Sequence, residues 1–361
     1  MKPVHSSSQV DPTRIVVFMP TWVGDVVMAT PGLRALRNRF ADAHITLLTR
    51  PNTVAVLEPG TWMDEIITWP KVESRVAKWN EPFVVGRQLR EKGFDWAVLL
   101  SNSFRSALTA RMARINRRIG YDRDGRGWLL TDRIPPRRVG KKFEMISTVD
   151  YFNELIAALD CPMPTQQMEL SVDPGDVEAV ESRLREWGIA ESRPLVVINP
   201  GASFGPSKLW PPERYGEVAE KLVRDKGASV VVTFGPGERD LALKICDTMT
   251  SKAYLVDDPP GTIGQLKALI KRCDILLNND TGPRHFAKAF GRNVLTVFGS
   301  THVEWTQTDY AKERSVRIPV DCGPCQKKVC PEGHHKCMTG VTSEMVYDAA
   351  VELLDHRDPS S

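Results

Sequence analysis

The chain has 361 residues, 42% of them hydrophobic and 26% charged, enough for about two domains with full cores, and its formal net charge of +3 excludes no class of partner. No apolar run approaches the roughly 18 residues that cross a bilayer, and polar Met1 to Arg14 lacks the apolar stretch of a secretory signal, so a short disordered lead-in to a cytoplasmic protein is expected. On that reading the seven cysteines are reduced thiols and not a disulfide framework.

Arg14-Ile-Val-Val-Phe-Met19 is a short β-branched apolar run, the pattern of a parallel strand buried on both faces. Pro20-Thr-Trp-Val-Gly-Asp25 reads as a turn. Val27, Leu33, Leu36 and Phe40 then fall at helical spacings, predicting a helix over 26–39. Further strands are predicted at 45–49 and 96–101 and helices around 84–92 and 106–115, an alternation that indicates an α/β domain. From Arg105 to Lys142 twelve Lys or Arg face only Asp122, Asp124 and Asp132, a local net charge of +9. Such a run is either a solvated surface or a landing place for an anionic partner: a phosphate-rich substrate, an anionic membrane surface or nucleic acid.

Three prolines and polar residues between Cys161 and Pro174 read as a linker, dividing the chain into domains at 14–173 and 174–356. A second alternation follows, with strands predicted at 195–199, 229–234, 275–279 and 294–298 and helices at 213–226, 238–250, 263–271 and 283–290. Two such halves predict two Rossmann-like domains facing each other across a cleft.

Ligands of open α/β sheets bind at the carboxyl ends of the strands. In the second half those ends run into Pro200-Gly-Ala-Ser-Phe-Gly-Pro-Ser-Lys208, Gly235-Pro-Gly-Glu238 and Asp280-Thr-Gly-Pro283. Small residues there let backbone N–H groups reach phosphate oxygens, and a helix N-terminus adds partial positive charge. Lys208 offers a full positive charge to a diphosphate, and Glu238 offers acceptor oxygens to a ribose diol. Taken singly, each has a plainer reading: Gly-Pro pairs make ordinary turns, Asp280 or Thr281 caps a helix, and Lys208 is solvated. Gly201-x-x-x-Gly205-x-x-Lys208 lacks the P-loop spacing and the first strand–helix turn has Gly24 alone, so kinase-like and dehydrogenase readings lose ground. In the first half, Asp25 either places a carboxylate able to take a proton from an attacking hydroxyl or complements a helix dipole. Near the end, Cys322-x2-Cys325-x4-Cys330-x6-Cys337, with His334 and His335, has spacing compatible with zinc. The alternatives are thiols packing a Pro- and Gly-rich loop, or a redox-labile pair.

Pro20-Thr-Trp-Val-Gly-Asp25, Asn199-Pro-Gly-Ala through Ser207-Lys-Leu-Trp-Pro-Pro-Glu-Arg-Tyr215, and Asn279-Asp-Thr-Gly-Pro-Arg-His285 together resemble the ADP-heptose:lipopolysaccharide heptosyltransferases, inverting enzymes of the GT-B fold. The resemblance runs from Arg14 to about Leu354. The segment Cys330-Pro-Glu-Gly-His-His-Lys-Cys-Met338 is similar to the second-heptose enzymes in particular. It implies an acceptor-binding first domain with Asp25 as general base, and a second domain that binds the ADP-heptose donor. There Lys208 and Ser203 would contact the donor phosphates, Glu238 the ribose, and Asp280, Thr281 and Gly282 the phosphate and sugar. Where some relatives have Ser-x-Gly-Asp, this chain has Trp22-Val-Gly-Asp25. The resemblance implies no cofactor, no obligatory metal and no nucleic-acid partner. It implies a lipopolysaccharide inner-core acceptor and a cytoplasmic enzyme able to touch the anionic inner-membrane surface. The alternatives are a GT-B sugar-nucleotide epimerase, a transferase with another donor, or a zinc-stabilised nucleic-acid-binding protein built on the basic run and the cysteines. The basic run has few aromatic residues for stacking bases.

Overall fold

The computed structural model describes residues 10–70 and 74–355, with the backbone alone at 75–78. The lead-in expected over Met1 to Arg14 therefore lies, up to residue 9, outside the described residues. The chain divides into two compact units, Met1–Ser171 with Glu304–Thr308, and Val172–Val303 with Asp309–Ser361. Among the described residues no helix is long and apolar enough to cross a membrane.

The first unit carries β1 (Arg14–Phe18), α1 (Val23–Met28), α2 (Thr30–Arg39), β2 (His44–Thr49), α3 (Pro51–Leu57), β3 (Glu65–Thr68), α4 (Arg75–Glu91), β4 (Trp96–Leu99), α5 (Phe104–Met112), β5 (Arg117–Tyr121), β6 (Asp132–Ile134), β7 (Arg138–Val139), β8 (Lys142–Phe143) and α6 (Thr148–Ala157). Six strands form a parallel sheet in the order β3-β2-β1-β4-β5-β6, while β7 and β8 pair with each other as an antiparallel ribbon. Ile15, Val16, Val17, Ala97, Val98 and Leu99 are wholly buried, as expected where helices cover both faces of a sheet.

The single helix predicted over 26–39 is two. Pro31 has no N–H to bond the Val27 carbonyl, and that carbonyl accepts instead from the Thr30 hydroxyl at 2.8 Å. The chain breaks at Ala29 and restarts. The first of the two helices also begins earlier than predicted, so Gly24 and Asp25 sit in its first turn and not in the turn before it.

The second unit carries α7 (Pro174–Glu186), β9 (Leu195–Asn199), α8 (Pro212–Lys226), β10 (Ser229–Val232), α9 (Arg239–Thr248), β11 (Ala253–Leu255), α10 (Ile263–Arg272), β12 (Ile275–Asn279), α11 (Gly282–Ala289), β13 (Asn293–Val297), β14 (Glu313–Val316), α12 (Lys336–Thr339) and α13 (Ser343–Asp355). Its parallel sheet runs β11-β10-β9-β12-β13-β14, the same order as the first. Tyr215, Val218, Ala219 and Leu222 bury one stripe of α8 against the sheet, and Gly227, at φ +63°, ends the helix where a side chain would be strained. Thr262 and Gln265 form a reciprocal cap that starts α10.

In both sheets the strand order reverses beside the first strand, between β1 and β4 and between β9 and β12. The loops that leave those paired strands diverge and open a crevice at their carboxyl ends. The topology thus places a candidate site in each unit at the equivalent position.

Candidate functional site

In the second unit, the crevice is built from the loop after β9 and the turn after β12. Asn279, the last residue of β12 and fully buried, fastens them together: its amide donates to the Pro200 carbonyl at 2.5 Å and its oxygen accepts from the Tyr215 hydroxyl at 2.9 Å. Lys208 then reaches across, its Nζ donating to the Asp280 carbonyl at 2.9 Å and to Asp280 Oδ2 at 2.6 Å. The ring of Phe204 lies 5.1 Å from the same ammonium. Thr281 precedes α11 and makes no side-chain cap, leaving the first N–H groups of that helix without a hydroxyl partner from the cap residue.

Asp280 is the hub of a buried charge network. Its Oδ2 also accepts from the Thr301 hydroxyl at 2.8 Å, and its Oδ1 lies 3.3 Å from Arg284 Nη1. Arg284 bonds Glu313 in turn, and Glu313 pairs with Lys288 at 2.6 Å. Burial pushes the Asp280 carboxyl up, but the charges of Lys208 and Arg284 outweigh it and hold the group below the ordinary aspartate value. Glu313 is held down against burial in the same way by Arg284 and Lys288. Burial brings Lys288 down to about 8. The network holds Lys208 in place next to a helix N-terminus, a fixed electropositive pairing suited to a diphosphate.

The loop bearing Lys208 is braced from behind by the cysteine-rich segment. Ser207, 2% exposed, donates its N–H to the Lys328 carbonyl at 3.1 Å and its hydroxyl to the Lys327 carbonyl at 2.5 Å, and its own carbonyl meets His335 Nε2 at 2.9 Å. Gly205 sits at φ +152°, and a Cβ there would stand 2.5 Å from the Lys328 carbonyl oxygen. All seven cysteines are free thiols, and among the described residues no three Cys, His, Asp or Glu side chains gather as ligands for an ion.

In the first unit, Asp25 lines a cavity of about 240 Å³ with Thr21, Ser101, Asn102, Arg123, Tyr151 and Trp305 among its walls. Two of these wall residues are held by Arg126, which is fully buried and donates to the Tyr121 carbonyl at 3.1 Å, to Asn102 Oδ1 at 3.1 Å and to the Ser101 carbonyl. Burial lowers this guanidinium to about 10. Tyr151 donates to the same Asn102 oxygen at 3.0 Å and stacks on Tyr121 at 4.0 Å. A neighbouring cavity of about 340 Å³ is lined by Arg50, Arg105, Ser101, Ser103 and Ser106. Buried Glu81 holds both of its arginines, at 3.3 and 2.8 Å.

A model of glycosyltransferase family 9 (heptosyltransferase) matches residues 83–336. The chain belongs to glycosyltransferase family 9. It is 28% identical over 351 residues to lipopolysaccharide heptosyltransferase 2 of Salmonella typhimurium, covering 94% of this chain and 98% of that one. Among solved structures it is similar to a family 9 glycosyl transferase from Veillonella parvula, with a TM-score of 0.81, 23% identity and coverage of 96% and 98%. It is also similar to E. coli ADP-heptose lipopolysaccharide heptosyltransferase II, with a TM-score of 0.76, 26% identity and coverage of 94% and 98%. The fold is therefore that of the GT-B glycosyltransferases.

The sequence-predicted residues of this family 9 enzyme do not all stand alike. Lys208, Asp280, Thr281 and Gly282 come together at the switch point of the second sheet. Glu238 is close by, but its carboxylate is already engaged by the N–H groups of Ala202 and Gly235, both at 2.9 Å, so it ties the loops after β9 and β10 together. Ser203 is exposed at a turn, whereas the buried hydroxyl that fixes the loop is Ser207, which the sequence reading passed over. Asn279, Arg284 and Thr301 were missed as well, and the Arg in Asp-Thr-Gly-Pro-Arg, one helical turn after Asp280, was the available signal. The reading of the basic run as one surface is corrected: Arg126 is a core residue, and Arg117, 8% exposed, pairs with Asp132 at 3.0 Å between adjacent strands.

Proposed function

We propose that this family 9 enzyme transfers a heptose from ADP-L-glycero-β-D-manno-heptose to the inner core of lipopolysaccharide, adding the second heptose, and that it works in the cytoplasm at the inner-membrane surface. The single observation that carries the reading is Lys208, pinned by Asp280 beside the N-terminus of α11, which makes a fixed cationic seat for a departing diphosphate. Relatives that match across 94% of the chain are named lipopolysaccharide heptosyltransferase 2, which supports the choice of sugar and acceptor. On this reading residues 14–173 take the acceptor and 174–356 the donor.

Asp25, on the wall of the first unit's cavity, accepts the proton of the acceptor hydroxyl as that oxygen attacks the anomeric carbon. The bond to the ADP oxygen breaks on the opposite face, so the configuration inverts. Lys208 and the N–H groups at Thr281 and Gly282 take up the charge that develops on the diphosphate. Asp280 acts through Lys208, since a buried carboxylate would repel phosphate if it faced it alone. Ser203 and Glu238 serve the phosphate and ribose by the lone pairs and hydroxyl their present bonds leave free. Arg50 and Arg105 suit an anionic group on the acceptor.

The test is transfer from ADP-heptose to acceptors bearing zero, one or two heptoses, read by mass. A gain of one heptose on the one-heptose acceptor is expected. No transfer to any of them from folded protein would overturn the reading.

A further inference from the structure

We propose that the β7–β8 ribbon is an anchor for an anionic membrane, holding the Asp25 cavity at the lipid surface; the inference rests on the reading that the acceptor is lipid-borne. Six of the twelve cations of the basic run are engaged inside the first unit. Arg105 pairs with Glu81, Arg117 with Asp132, Arg123 with Asp124 and Arg137 with Glu154. Arg118 and Arg126 donate to backbone carbonyls.

The ribbon differs. Arg138, Lys141 and Lys142 are exposed and form no ion pair among the described residues. Between them Val139 is 69% exposed, on the same face as Lys142, its partner across the ribbon. Glu144 is the one carboxylate adjoining the ribbon in sequence. A lone two-stranded ribbon is marginal in water. This one is held through Phe143, whose ring lies 4.5 Å from the guanidinium of Arg138 and 4.5 Å from that of Arg123. An apolar tip ringed by cations is the chemistry of an interfacial anchor, since the cations meet lipid phosphates while the valine enters the headgroup boundary.

Its place favours a bilayer over a dissolved anion. Arg123, which clasps the ribbon through Phe143, also lines the Asp25 cavity, as do Ile146 and Thr148 just beyond the ribbon. Docking by the tip therefore sets the cavity mouth among headgroups, where a sugar on a lipid is presented.

The experiment is co-sedimentation of the full chain with phosphatidylcholine vesicles, with and without phosphatidylglycerol. The native chain is expected to bind only the anionic vesicles, less so as salt rises. Lys141→Gln/Lys142→Gln should lower partitioning about 30-fold, at about 5-fold per cation, and Val139→Asp should lower it further. ADP binding, melting temperature and transfer to a water-soluble acceptor should not change in either variant. Equal partitioning of native and variant chains, or equal binding to neutral vesicles, would overturn the anchor. So would a raised KM for a lipid-free phosphorylated acceptor with vesicle binding unchanged, since the lysines would then serve the acceptor's own phosphates. Transfer failing on every acceptor while vesicle binding still depends on the ribbon would overturn the heptosyl reading and sustain the anchor.

Discussion

Consider replacing Lys208 by Met, Asp280 by Asn, and both together. The ammonium and carboxylate are 2.6 Å apart, with side chains 12% and 7% exposed. At an effective dielectric of about 20 the gross attraction is about 6 kcal/mol, and desolvation of two ions offsets most of it, so the intact pair contributes little net stability while half a pair is expensive. Lys208→Met leaves Asp280 with Thr301 and a 3.3 Å contact to Arg284, and should cost about 2–3 kcal/mol, the low side for a broken buried pair. Asp280→Asn removes the carboxylate that Lys208 and Arg284 share and should cost about 3–5 kcal/mol. The double variant removes one charge of each sign and should be more stable than Asp280→Asn by about 2 kcal/mol, a rise of roughly 4–8 °C in calorimetry. Calorimetric titration with ADP should behave otherwise. Loss of a charge-assisted bond at Lys208 should weaken binding about 10- to 100-fold, equally in the single and the double variant. Additive stability costs, or recovery of ADP affinity in the double variant, would refute a network in which Asp280 acts through Lys208.

Three further outcomes are expected. Asp25→Asn should retain ADP binding and lower turnover by about 10²- to 10⁴-fold; full turnover would remove Asp25 as the base. Gly205→Ala, at φ +152° with Lys328 in the way, should cost about 1–3 kcal/mol and weaken ADP binding by moving the loop that carries Lys208, and a native titration would show the loop indifferent to its brace. His285 is buried, and burial beside Arg284 and Lys288 holds its imidazole well below the usual histidine value of 6.5. As pH falls below 6.5 the unfolded chain takes a proton that the folded chain refuses, so stability should drop by about 1.4 kcal/mol per pH unit from this residue. His285→Gln should flatten the acid side of the melting-temperature profile, and an unchanged slope would count against a neutral, buried imidazole.

Much of the architecture was legible locally. Leu195–Asn199 and Ile275–Asn279 were bounded correctly because strands covered on both faces open with an apolar run, and Pro200-Gly201 and Asp280-Thr-Gly-Pro283 close them. The turns after β9 and β12 were recognisable as a site because small residues followed by a helix have few other uses at a strand's carboxyl end. The break at Ala29 was harder, since the helical spacing continues across it and only the missing N–H of Pro31 interrupts the ladder.

What the amino-acid order determined by itself is the alternation of strand and helix, the turns, and the presence of Asp25, Lys208 and Asp280 in chemically apt settings. What only the tertiary structure decided is who meets whom. Lys208 and Asp280 are 72 residues apart and pair because the sheet order sets β12 directly against β9, with Asn199 beside Asn278. Arg126 and Lys141 look alike in a charge count, yet one lies in the core bonded to carbonyls and the other at an exposed tip. A residue's charge is written in the chain, but its cost and its use depend on burial and on partners, and those arise only when the sheet closes.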